Sequence, residues 1–587
     1  MPINFSNTNS VWASILAETF WRLGLKTAVI CPGSRSAPLT VALASHSQIE
    51  AIPVLDERSA AFFALGIARQ TYRPVVLVCT SGTAGANFYP AVIEARESRV
   101  PLLVLTADRP PELRDCNAGQ AIDQHKLYGT FPNWQTELAL PSLEPSLLAY
   151  LRQTLIHAWD RSIYPVPGPV HLNVPFREPL APIRHPQAQA LSLSFDTQNF
   201  FAAIAPSPLY PDTPPTAYPA FSLPTGSQGI IIAGPAQPEC PEDYCQAIAQ
   251  LSRCLGYPVL AEGLSPLRNY SDLNPNLVAT YDLILRNPVL EQKLAPEIVI
   301  RIGEMPTSKH LRTWLEILQP RQWVIDSDGR NLDPLHGKTT HIRMSLDTLV
   351  RAIPKESAPP SPYLKLWQEA ELQVRLAIGQ KMKHLDRLFE GKVAWLLSQV
   401  LPTETPLFIS SSMPVRDVEF FWAAGNRKIR PFFNRGANGI DGSLSTALGI
   451  AHQQQPSVML TGDLALLHDT NGFLLRQHFV GHLTIVLINN DGGGIFEMLP
   501  ISKFDPPFET FFATPQGINF AQLSATYGLE YELITSWQHL EACLNPLPQS
   551  GIRVLEVPTD RKVDAQWRQE HLSQFARSGP GRIAPGE

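Results

Sequence analysis

Residues 457–494 read SVMLTGDLALLHDTNGFLLRQHFVGHLTIVLINNDGGG, and they decide the fold of the C-terminal part of the chain. The runs 457–461 and 483–489 are apolar and rich in β-branched residues, so they predict buried strands with a helical stretch between them. A strand–helix–strand unit of this kind predicts a parallel sheet, in which ligands collect at the carboxyl ends of the strands. The first run ends in Gly462-Asp463, and the second is followed by Asn490.

The residues at these two strand ends predict a site for Mg²⁺ and a diphosphate. Mg²⁺ takes six hard oxygen ligands and usually shares them with phosphates and water. Asp463 offers a carboxylate, Asn490 an amide oxygen and Gly492 a backbone carbonyl. Glycines in the turn allow the backbone to approach the phosphates closely. Each motif alone is also a common turn, and only their joint occurrence at this spacing favours the metal site.

The same alternation of apolar runs and helical patterns recurs along the chain. Continuous apolar strands followed by helices predict an α/β protein with three doubly wound, parallel-sheet domains. The other predicted strands are 27–31, 75–80, 102–106, 170–174, 229–233, 296–302, 323–326, 407–410 and 553–557.

Two proline-rich stretches, 182–224 and 354–362, divide the sequence. Proline cannot continue a helix or a central strand, so these stretches predict linkers. The predicted organisation is an N-terminal domain (1–185), a linker (186–225), a central domain (226–353), a second linker (354–375), a C-terminal domain (376–576) and a flexible tail (577–587).

The composition is that of an ordinary globular protein, with 44% apolar and 17% charged residues among 587. A net charge of -6 gives no general reason to expect nucleic acid as a partner. No apolar run is long enough to predict a membrane span, and the polar N-terminus lacks a signal-peptide core. The seven cysteines form no CxxC, and the cluster Cys240, Cys245 and Cys254 has no histidine at zinc-finger spacing. Reduced thiols and a cytoplasmic location are therefore expected.

The metal motif resembles that of the thiamine-diphosphate enzymes, because Asn490 follows Asp463 by 27 positions. Such enzymes need a carboxylic acid that hydrogen-bonds the aminopyrimidine ring and so promotes formation of the ylid. Glu57 is the candidate, since it stands between the apolar run 51–55 and the helical stretch 59–68. The alternative is purely structural: Asp56 caps the helix, and Glu57 complements the helix dipole.

Four arginines follow predicted strands, and they bear on the choice of substrate. These are Arg35, Arg109, Arg416 and Arg435. Arginine binds carboxylates through two parallel hydrogen bonds and stays charged at any working pH. Together they favour reactants that carry several carboxylates, although any one of them would equally suit a surface pair with a local acid such as Asp108 or Asp417.

Five segments are together similar to the family of 2-succinyl-5-enolpyruvyl-6-hydroxy-3-cyclohexene-1-carboxylate (SEPHCHC) synthases, also called MenD. They are PGSRS (32–36), TSGTA (80–84), TADRPPEL (106–113), NRGANGIDG (434–442) and GGGIF (492–496). The resemblance implies a pyrimidine-binding, a central and a diphosphate-binding domain. It also implies a transferase of menaquinone or phylloquinone synthesis. This enzyme uses thiamine diphosphate and Mg²⁺, with Mn²⁺ as an alternative ion. It decarboxylates 2-oxoglutarate and adds the resulting succinic-semialdehyde carbanion to isochorismate in a 1,4 fashion.

The family's site residues are carried over by motif, and the family further implies a homodimer or homotetramer with active sites at the subunit interface. Glu57, Ser412, Arg416 and Arg435 would be catalytic. The cofactor would be held by Glu57, Gly436, Ala437, Asn438, Gly439, Ile440, Gly462, Asp463, Leu464 and Asn490, and the metal by Asp463, Asn490 and Gly492. The substrates would be held by Ser34, Arg35, Arg109, Gln120, Lys309, Ser412, Arg416, Arg435, Ile495 and Phe496.

Two positions depart from the family pattern. The family often has an asparagine before the glutamine of its QAI segment, and here Gly119 precedes Gln120. A Lys-Arg pair of the central domain is replaced by Lys309-His310, which makes the second charge dependent on pH.

Three alternatives remain open at this point. A simple 2-oxoacid decarboxylase typically has an adjacent His-His pair, which this sequence lacks. An acetohydroxyacid synthase binds FAD in its central domain, where residues 231–236 resemble the start of a nucleotide-binding unit without the GxGxxG motif. A catalytically inactive protein of the same fold would have lost Glu57 or a metal ligand, and both are present.

Overall fold

The computed structural model describes residues 3–202, 204–205, 226–353 and 356–576. Within these ranges the strands form three six-stranded sheets, and every pair of neighbouring strands is parallel. Helices connect and flank the strands. The prediction of an α/β protein with three doubly wound parallel sheets is confirmed.

The first sheet has the strand order β2-β1-β3-β4-β6-β5. Its inner strands β3, β4 and β6 are buried along their whole length, as expected for strands covered on both faces. The strands are β1 (Thr27–Ile30), β2 (Glu50–Pro53), β3 (Val75–Cys79), β4 (Leu102–Asp108), β5 (Trp134–Glu137) and β6 (Pro169–Pro175). The helices are α1 (Thr8–Leu23), α2 (Ala37–Ala44), α3 (Glu57–Thr71), α4 (Thr83–Asn87), α5 (Tyr89–Glu97), α6 (Pro145–Ile163), α7 (Pro186–Leu191) and α8 (Thr197–Phe200), with a 3₁₀ turn at Pro111–Leu113.

The second sheet has the order β12-β11-β10-β7-β8-β9, which is the arrangement of a dinucleotide-binding fold. Its strands are β7 (Gly229–Ala233), β8 (Val259–Ala261), β9 (Leu277–Val278), β10 (Ile298–Ile302), β11 (Arg321–Ile325) and β12 (Lys338–Ile342). The helices are α9 (Pro241–Leu255), α10 (Tyr281–Ile284), α11 (Pro288–Lys293), α12 (Lys309–Leu318) and α13 (Leu346–Ala352), with 3₁₀ turns at Pro266–Asn269 and Ser271–Leu273.

The third sheet has the order β14-β13-β15-β16-β18-β17, the same pattern as the first sheet. Its strands are β13 (Pro406–Ile409), β14 (Arg430–Phe432), β15 (Ser457–Gly462), β16 (His482–Asn489), β17 (Glu530–Leu533) and β18 (Gly551–Pro558). The helices are α14 (Pro362–Lys383), α15 (Glu390–Val400), α16 (Met413–Phe421), α17 (Ser443–Ala451), α18 (Asp463–Leu467), α19 (Gly494–Glu497), α20 (Phe520–Tyr527), α21 (Trp537–Leu544) and α22 (Arg561–His571). Shorter turns are the 3₁₀ segments Thr470–Gln477 and Pro500–Lys503 and the π-helix Glu509–Ala513.

In the first sheet β2 lies on one side of β1 and β3 on the other, and in the third sheet β14 and β15 flank β13 in the same way. The gap between the carboxyl ends of β1 and β3, and that between β13 and β15, are therefore topological switch points. Ligands of parallel sheets bind at such points because the connections on either side diverge there. The segments 32–36 and 80–84 follow β1 and β3, and Ser412 and Asp463 follow β13 and β15, which positions them for a binding site.

By its internal contacts the chain divides into two compact units. The first combines Met1–Pro211 with Asn434–Gln454 and Leu467–Gly481, and the second contains Asp212–Phe433, Gln455–Leu466 and His482–Glu587. The predicted domain boundaries remain predictions.

The predicted linkers and tail are described in part. Helices α7 and α8 lie in the predicted linker 186–225, of which residue 203 and residues 206–225 lie outside the described residues. Helix α14 occupies 362–375 of the second predicted linker and buries Tyr363, Leu364 and Trp367. Residues 354–355 and the predicted tail 577–587 are outside the described residues. Of the helices described, none has the combination of length and apolar character needed to cross a lipid bilayer.

Candidate active site

Asp463 lies at the carboxyl end of β15, as the first residue of α18, and is 4% exposed. One carboxylate oxygen accepts a hydrogen bond of 2.7 Å from the backbone N–H of Gly492. Burial, and to a smaller extent the neighbouring charge of Asp491, raise the pKa of Asp463 to about 6. A buried carboxylate whose charge is not neutralised by a nearby cation suits a metal ion.

Asn490 follows β16 and is 8% exposed. Its side-chain nitrogen donates to Glu390 Oε1 at 2.5 Å, so the amide oxygen points the other way. That oxygen is buried and has no hydrogen-bond partner among the described residues. A buried acceptor without a partner lowers the stability of the fold, so this oxygen is suited to bind a cation or a hydrogen-bond donor.

Glu390 is in turn fixed by a buried cation that the sequence did not single out. Arg568 on α22 donates to Glu390 at 2.7 Å and to Asp417 at 2.7 Å. The three side chains are at most 2% exposed. Arg568 therefore holds Glu390, and Glu390 sets the orientation of the Asn490 amide.

The glycine turn after Asn490 has a steric requirement. Gly492 has a φ of 139°, and a Cβ added there would stand 2.5 Å from the carbonyl oxygen of Ala513. A buried carboxylate, an unpartnered amide oxygen and a glycine carbonyl form an oxygen-only donor set of the kind that Mg²⁺ binds together with phosphates. The residues present fit the predicted metal and diphosphate.

Ser412 and Arg416 follow β13 at the same edge of the third sheet. Ser412 has a φ of 77° and precedes the first residue of α16, and its carbonyl accepts from Arg416 Nη1 at 2.6 Å. Leu464 in α18 is half-buried, as are Ile495 and Phe496 in α19. The Phe496 ring packs edge-on against Phe512, at 5.8 Å between ring centroids.

Lys309 begins α12 in the central part of the chain, where it is exposed, as is His310. Ser308, and not Lys309, caps this helix through the N–H of Leu311. Burial, followed by the charge of Arg286, lowers the pKa of His310 from its ordinary value. The side chain is therefore less readily charged than a free histidine.

In the first compact unit, Glu57 is the first residue of α3 and is half-buried. The capping role belongs to Asp56, whose Oδ1 accepts from the Ser59 N–H at 2.9 Å. The other Asp56 oxygen accepts from the Asn471 side chain at 2.8 Å. The Glu57 carboxylate accepts no hydrogen bond within the described part of the chain, so the structural alternative accounts for Asp56 but leaves Glu57 available for a ligand.

Arg35 and Arg109 form a pair of like charges beside the end of β1. Arg35 is 7% exposed and donates to the carbonyl of Phe176 at 2.9 Å, while its buried Nε has no hydrogen-bond partner among the described residues. Burial, and then the charge of Arg109, lower the pKa of Arg35. Arg109 donates to Ser81 Oγ at 3.1 Å. Arg35 Nη2 also lies 3.5 Å from the exposed carboxylate of Glu178, so its charge is paired on one side and its Nε is left without an acceptor in the described part of the chain. This arrangement suits an additional anion.

Gln120 is placed next to these arginines by Ser81. The Gln120 side chain donates to the Ser81 carbonyl at 3.0 Å, and Ser81 Oγ donates back to the Gln120 carbonyl at 3.0 Å. Arg109 Nη2 donates to the carbonyl of Gly119 at 2.7 Å. Because only the backbone of Gly119 is used, the departure from the family's asparagine leaves this contact intact. Ser34 is exposed in the loop before α2.

Arg114 supports the Arg109 loop and was missed by sequence reasoning. Its Nε and Nη2 donate to the Arg109 carbonyl at 3.2 and 3.0 Å. Its Nη2 also lies 3.1 Å from Asp108 and 2.7 Å from Glu137. The sequence gives no signal for this role, because Glu137 lies on the edge strand β5, which was not predicted.

The segment Arg435–Ile440, which includes the predicted cofactor loop, is anchored by another unpredicted residue, Glu94 on α5. Glu94 is 3% exposed, and its two oxygens accept from the N–H groups of Gly436 at 3.0 Å and Ala437 at 2.8 Å. Ser98 Oγ donates to the same carboxylate at 2.5 Å. The loop residues themselves are Arg435, Gly436, Ala437, Asn438 (φ 62°), Gly439 and Ile440, of which Ala437 and Asn438 are exposed and the others half-buried.

The predicted residues therefore gather in two sets. The first compact unit brings Arg35, Arg109 and Gln120 together and contains Glu57 and the 435–440 segment. The second unit joins Asp463 to Gly492 and contains the other predicted residues of the third sheet, together with Lys309.

Curated relatives match this chain over almost its whole length. A protein from Nostoc sp. named 2-succinyl-5-enolpyruvyl-6-hydroxy-3-cyclohexene-1-carboxylate synthase is 63% identical over 98% of this chain and 99% of its own length. Proteins of the same name from Gloeothece citriformis and Synechococcus sp. are 62% and 54% identical, each over 98% of this chain and over 100% and 98% of their own lengths. The chain belongs to the SEPHCHC synthase family.

Membership of the SEPHCHC synthase family makes the chain a thiamine-diphosphate enzyme, and the main prediction agrees with the relatives' names where the alternative enzymes do not. The family model "Thiamine pyrophosphate enzyme, N-terminal TPP binding domain" matches residues 12–127. The family model "Middle domain of thiamine pyrophosphate" matches residues 219–409.

Solved structures show how the SEPHCHC synthase fold relates to other enzymes. Benzoylformate decarboxylase from Polynucleobacter necessarius covers 94% of this chain and 98% of its own, with a TM-score of 0.65 and 16% identity. A putative thiamin diphosphate-dependent enzyme from Mycobacterium smegmatis gives a TM-score of 0.63 at 18% identity, covering 94% of this chain and 99% of its own. At this identity the likeness concerns the fold alone.

Proposed function

We propose that this chain joins 2-oxoglutarate to isochorismate with loss of carbon dioxide, giving SEPHCHC, with thiamine diphosphate and Mg²⁺ bound. One observation supports the substrate class above all: Arg35 is a buried cation with an unused Nε donor, held beside the second cation Arg109. Among the described residues the acidic partner of Arg35 is the exposed carboxylate of Glu178, 3.5 Å from Nη2, so a substrate carboxylate would occupy the unused Nε and balance the second charge. Both proposed substrates carry two carboxylates.

We assign the metal and diphosphate to the carboxyl edge of the third sheet. Asp463, the oxygen of Asn490 and the carbonyl of Gly492 would hold Mg²⁺, with Mn²⁺ as a substitute. Gly462 and Leu464 flank the metal-binding carboxylate, and the 436–440 loop, anchored by Glu94, would hold the rest of the cofactor with Ile440 as its apolar support. When bound, the cofactor supplies the nucleophilic carbon and delocalises the charge left by decarboxylation.

The side chains of the chain itself move the proton and place the carboxylates. Glu57, in its carboxylic acid form, would hydrogen-bond the aminopyrimidine ring. No hydrogen bond from the described residues competes for this side chain, which begins α3. Ser34, Arg35, Arg109 and Gln120 would hold isochorismate, together with Arg435 and Lys309. Ser412 and Arg416 would face the 2-oxoglutarate-derived part, against the apolar wall of Ile495 and Phe496.

We further propose a cytoplasmic homodimer or homotetramer in which Glu57 of one subunit completes the site built on Asp463 of the next. The family's common arrangement supports the shared site. The seven cysteines, all of them free thiols, support the cytoplasmic location.

The test is an ultraviolet assay of isochorismate consumption, run with and without 2-oxoglutarate, thiamine diphosphate and Mg²⁺. We expect consumption only when all three are present. Glu57→Gln should lower kcat roughly 10²–10⁴-fold, the usual contribution of a positioned acid or base. The matched control is Glu144→Gln at the exposed start of α6, which should react like the parent. Consumption that continues without 2-oxoglutarate would rule out the proposed reaction.

A further inference from the structure

A second group of metal-ligating side chains lies at the far edge of the third sheet, on the edge strand β17. Glu532 is on β17, and His539 and Cys543 are on α21. One ligand atom from each residue lies within 4.8 Å of the other two. Strand β18 separates β17 from β16, the strand that leads to Asn490, so this group is not part of the magnesium site.

The local structure presents the three side chains to one another. His539 and Cys543 are four residues apart on α21 and therefore lie on the same face, one turn apart. His539 Nε2 lies 2.6 Å from Glu532 Oε1, and Cys543 Sγ lies 3.4 Å from Glu532 Oε2. The His539 and Glu532 side chains are 29% and 45% exposed, so a water molecule can reach the space between them.

We propose that Glu532, His539 and Cys543 bind one Zn²⁺ ion, with water as the fourth ligand. Carboxylate, imidazole and thiolate are the ligands that Zn²⁺ takes in proteins, in a tetrahedron with bonds of about 2.0–2.3 Å. Such bonds place the ligand atoms about 3.4–3.6 Å apart. The three ligand atoms now lie within 4.8 Å of one another, and His539 Nε2 is 2.6 Å from Glu532, so the separations have to change by roughly 1 Å. A histidine–glutamate ion pair would explain the contact between His539 and Glu532 but not the presence of Cys543. The thiol makes the group selective for a softer ion than Mg²⁺.

Binding of the ion displaces one proton, that of the Cys543 thiol. Burial, and then the hydrogen bond and charge of Glu532, raise the pKa of the Cys543 thiol, and the charge of Arg553, which donates to the Cys543 carbonyl at 2.7 Å, opposes this only in part. The thiol therefore releases its proton to solvent only as the ion binds and stabilises the thiolate.

In the present structure His539 Nδ1 accepts from the Thr535 backbone N–H at 3.4 Å. Binding of the ion through Nε2 places the proton of the neutral ring on Nδ1, which gives up that contact, and Thr535 Oγ1, also at 3.4 Å, can accept the proton's hydrogen bond. The bound ion would tie α21 to the edge strand and so stabilise this side of the sheet.

The experiment uses the full chain saturated with thiamine diphosphate and excess Mg²⁺, so that the oxygen-only site is occupied. Cd²⁺ is titrated as a spectroscopic probe, because a thiolate bound to Cd²⁺ gives an ultraviolet charge-transfer band that oxygen ligands cannot give. We expect the band to saturate at one equivalent and to be displaced by Zn²⁺. Cys543→Ser should abolish it, and His539→Ala and Glu532→Gln should weaken binding at least about 10–100-fold, which is the cost of disturbing even an outer-shell partner.

The matched control is Cys116→Ser, which removes an exposed thiol elsewhere and should leave the titration unchanged. Circular dichroism melting confirms that each variant is folded, and the Cys543→Ser enzyme, assayed with thiamine diphosphate and Mg²⁺ but without Zn²⁺ or Cd²⁺, should retain parental kcat. No band at one equivalent, or a band that survives Cys543→Ser, would refute the site. This outcome is independent of the carboligation assay, so the two proposals can fail separately.

Discussion

Asn490 illustrates how the site depends on residues that never touch a ligand. Its amide could present either the nitrogen or the oxygen to a metal, and Glu390 removes the ambiguity by accepting from the nitrogen at 2.5 Å. Glu94 acts in the same way on the cofactor loop, since it accepts from two consecutive N–H groups. These carboxylates are positioning residues.

The role of Glu94 leads to a prediction for Glu94→Gln. The amide keeps one acceptor but turns an NH₂ group toward a loop N–H, so one of the two anchoring hydrogen bonds is lost. We expect the KM for thiamine diphosphate to rise at least about tenfold, because a hydrogen bond to a charged group contributes about 1.5–3 kcal/mol. Saturating cofactor should restore most of kcat.

The measurement for Glu94→Gln is the isochorismate assay at increasing cofactor concentration, with Glu144→Gln as the control for a surface change. An unaltered KM, or a loss of kcat that cofactor does not restore, would contradict the anchoring role.

At this scale the sequence predicted the ligand types but not their supports. Asp463 and Asn490 stand in a local motif that reports a strand end. Glu94, Arg114 and Arg568 lie in helical or loop sequence with nothing to distinguish them from surface charges. Their partners are 342, 5 and 178 positions away, and burial against those partners arises only when the chain has folded.

At the scale of elements, the first compact unit depends on a close crossing of α3 and α17. A Cβ at Gly66 would overlap the Thr446 carbonyl oxygen and stand 2.9 Å from Gly449 Cα. A Cβ at Gly449 would overlap the Phe63 carbonyl oxygen. The two helix backbones touch at these glycines, and α3 is the helix that begins with Glu57.

We predict that Gly66→Ala destabilises the protein by at least about 1–3 kcal/mol, because two backbones must separate to admit the methyl group. Gly379→Ala in α14 is the matched control, since nothing lies within 4 Å of its added Cβ. That change should stabilise by about 0.5–1 kcal/mol through better helix propensity. Urea unfolding followed by circular dichroism measures both, and equal stability of the two variants would contradict the close crossing.

The strands that the sequence missed are mostly edge strands. Every predicted strand overlaps an observed one, whereas β2, β5, β9, β12, β14 and β17 lie at sheet edges and were not predicted. Edge strands such as β5 and β17 are half-exposed and lack the continuous apolar run of an inner strand. The helix expected between β15 and β16 is instead the short α18 followed by the 3₁₀ segment Thr470–Gln477.

At the scale of the whole molecule, the proposed assembly makes a prediction about mixed dimers. Glu57→Gln and Asp463→Asn should each be inactive alone. If each site takes Glu57 from one subunit and Asp463 from the other, a mixed dimer has one site with neither substitution. The isolated mixed dimer should therefore have about one half of the activity of the unsubstituted enzyme, and an unfractionated co-expression about one quarter, since half of randomly paired dimers are mixed.

Co-expression with two different affinity tags isolates the mixed dimer, and the isochorismate assay measures it. The control is each variant co-expressed with itself. If the mixed dimers are as inactive as the two single variants, both residues of a site come from the same subunit.

The sequence predicts three sheets, and the chain has them, but it packs as two compact units. Segments 434–454 and 467–481 belong with the N-terminal unit although they lie between strands of the third sheet. Sequence order alone could not show this, because the apolar faces of these segments are equally suited to either partner. The contact between α3 and α17 decides it.

Arg568 has a consequence for the order of events during synthesis. It sits on α22, near the end of the chain, and it fixes Glu390, which in turn fixes the amide of Asn490. When β18, the last strand of the third sheet, has been synthesised, Arg568 has not yet been added to the chain. A chain shortened before α22 would therefore carry every predicted metal ligand and yet lack the residue that orients one of them.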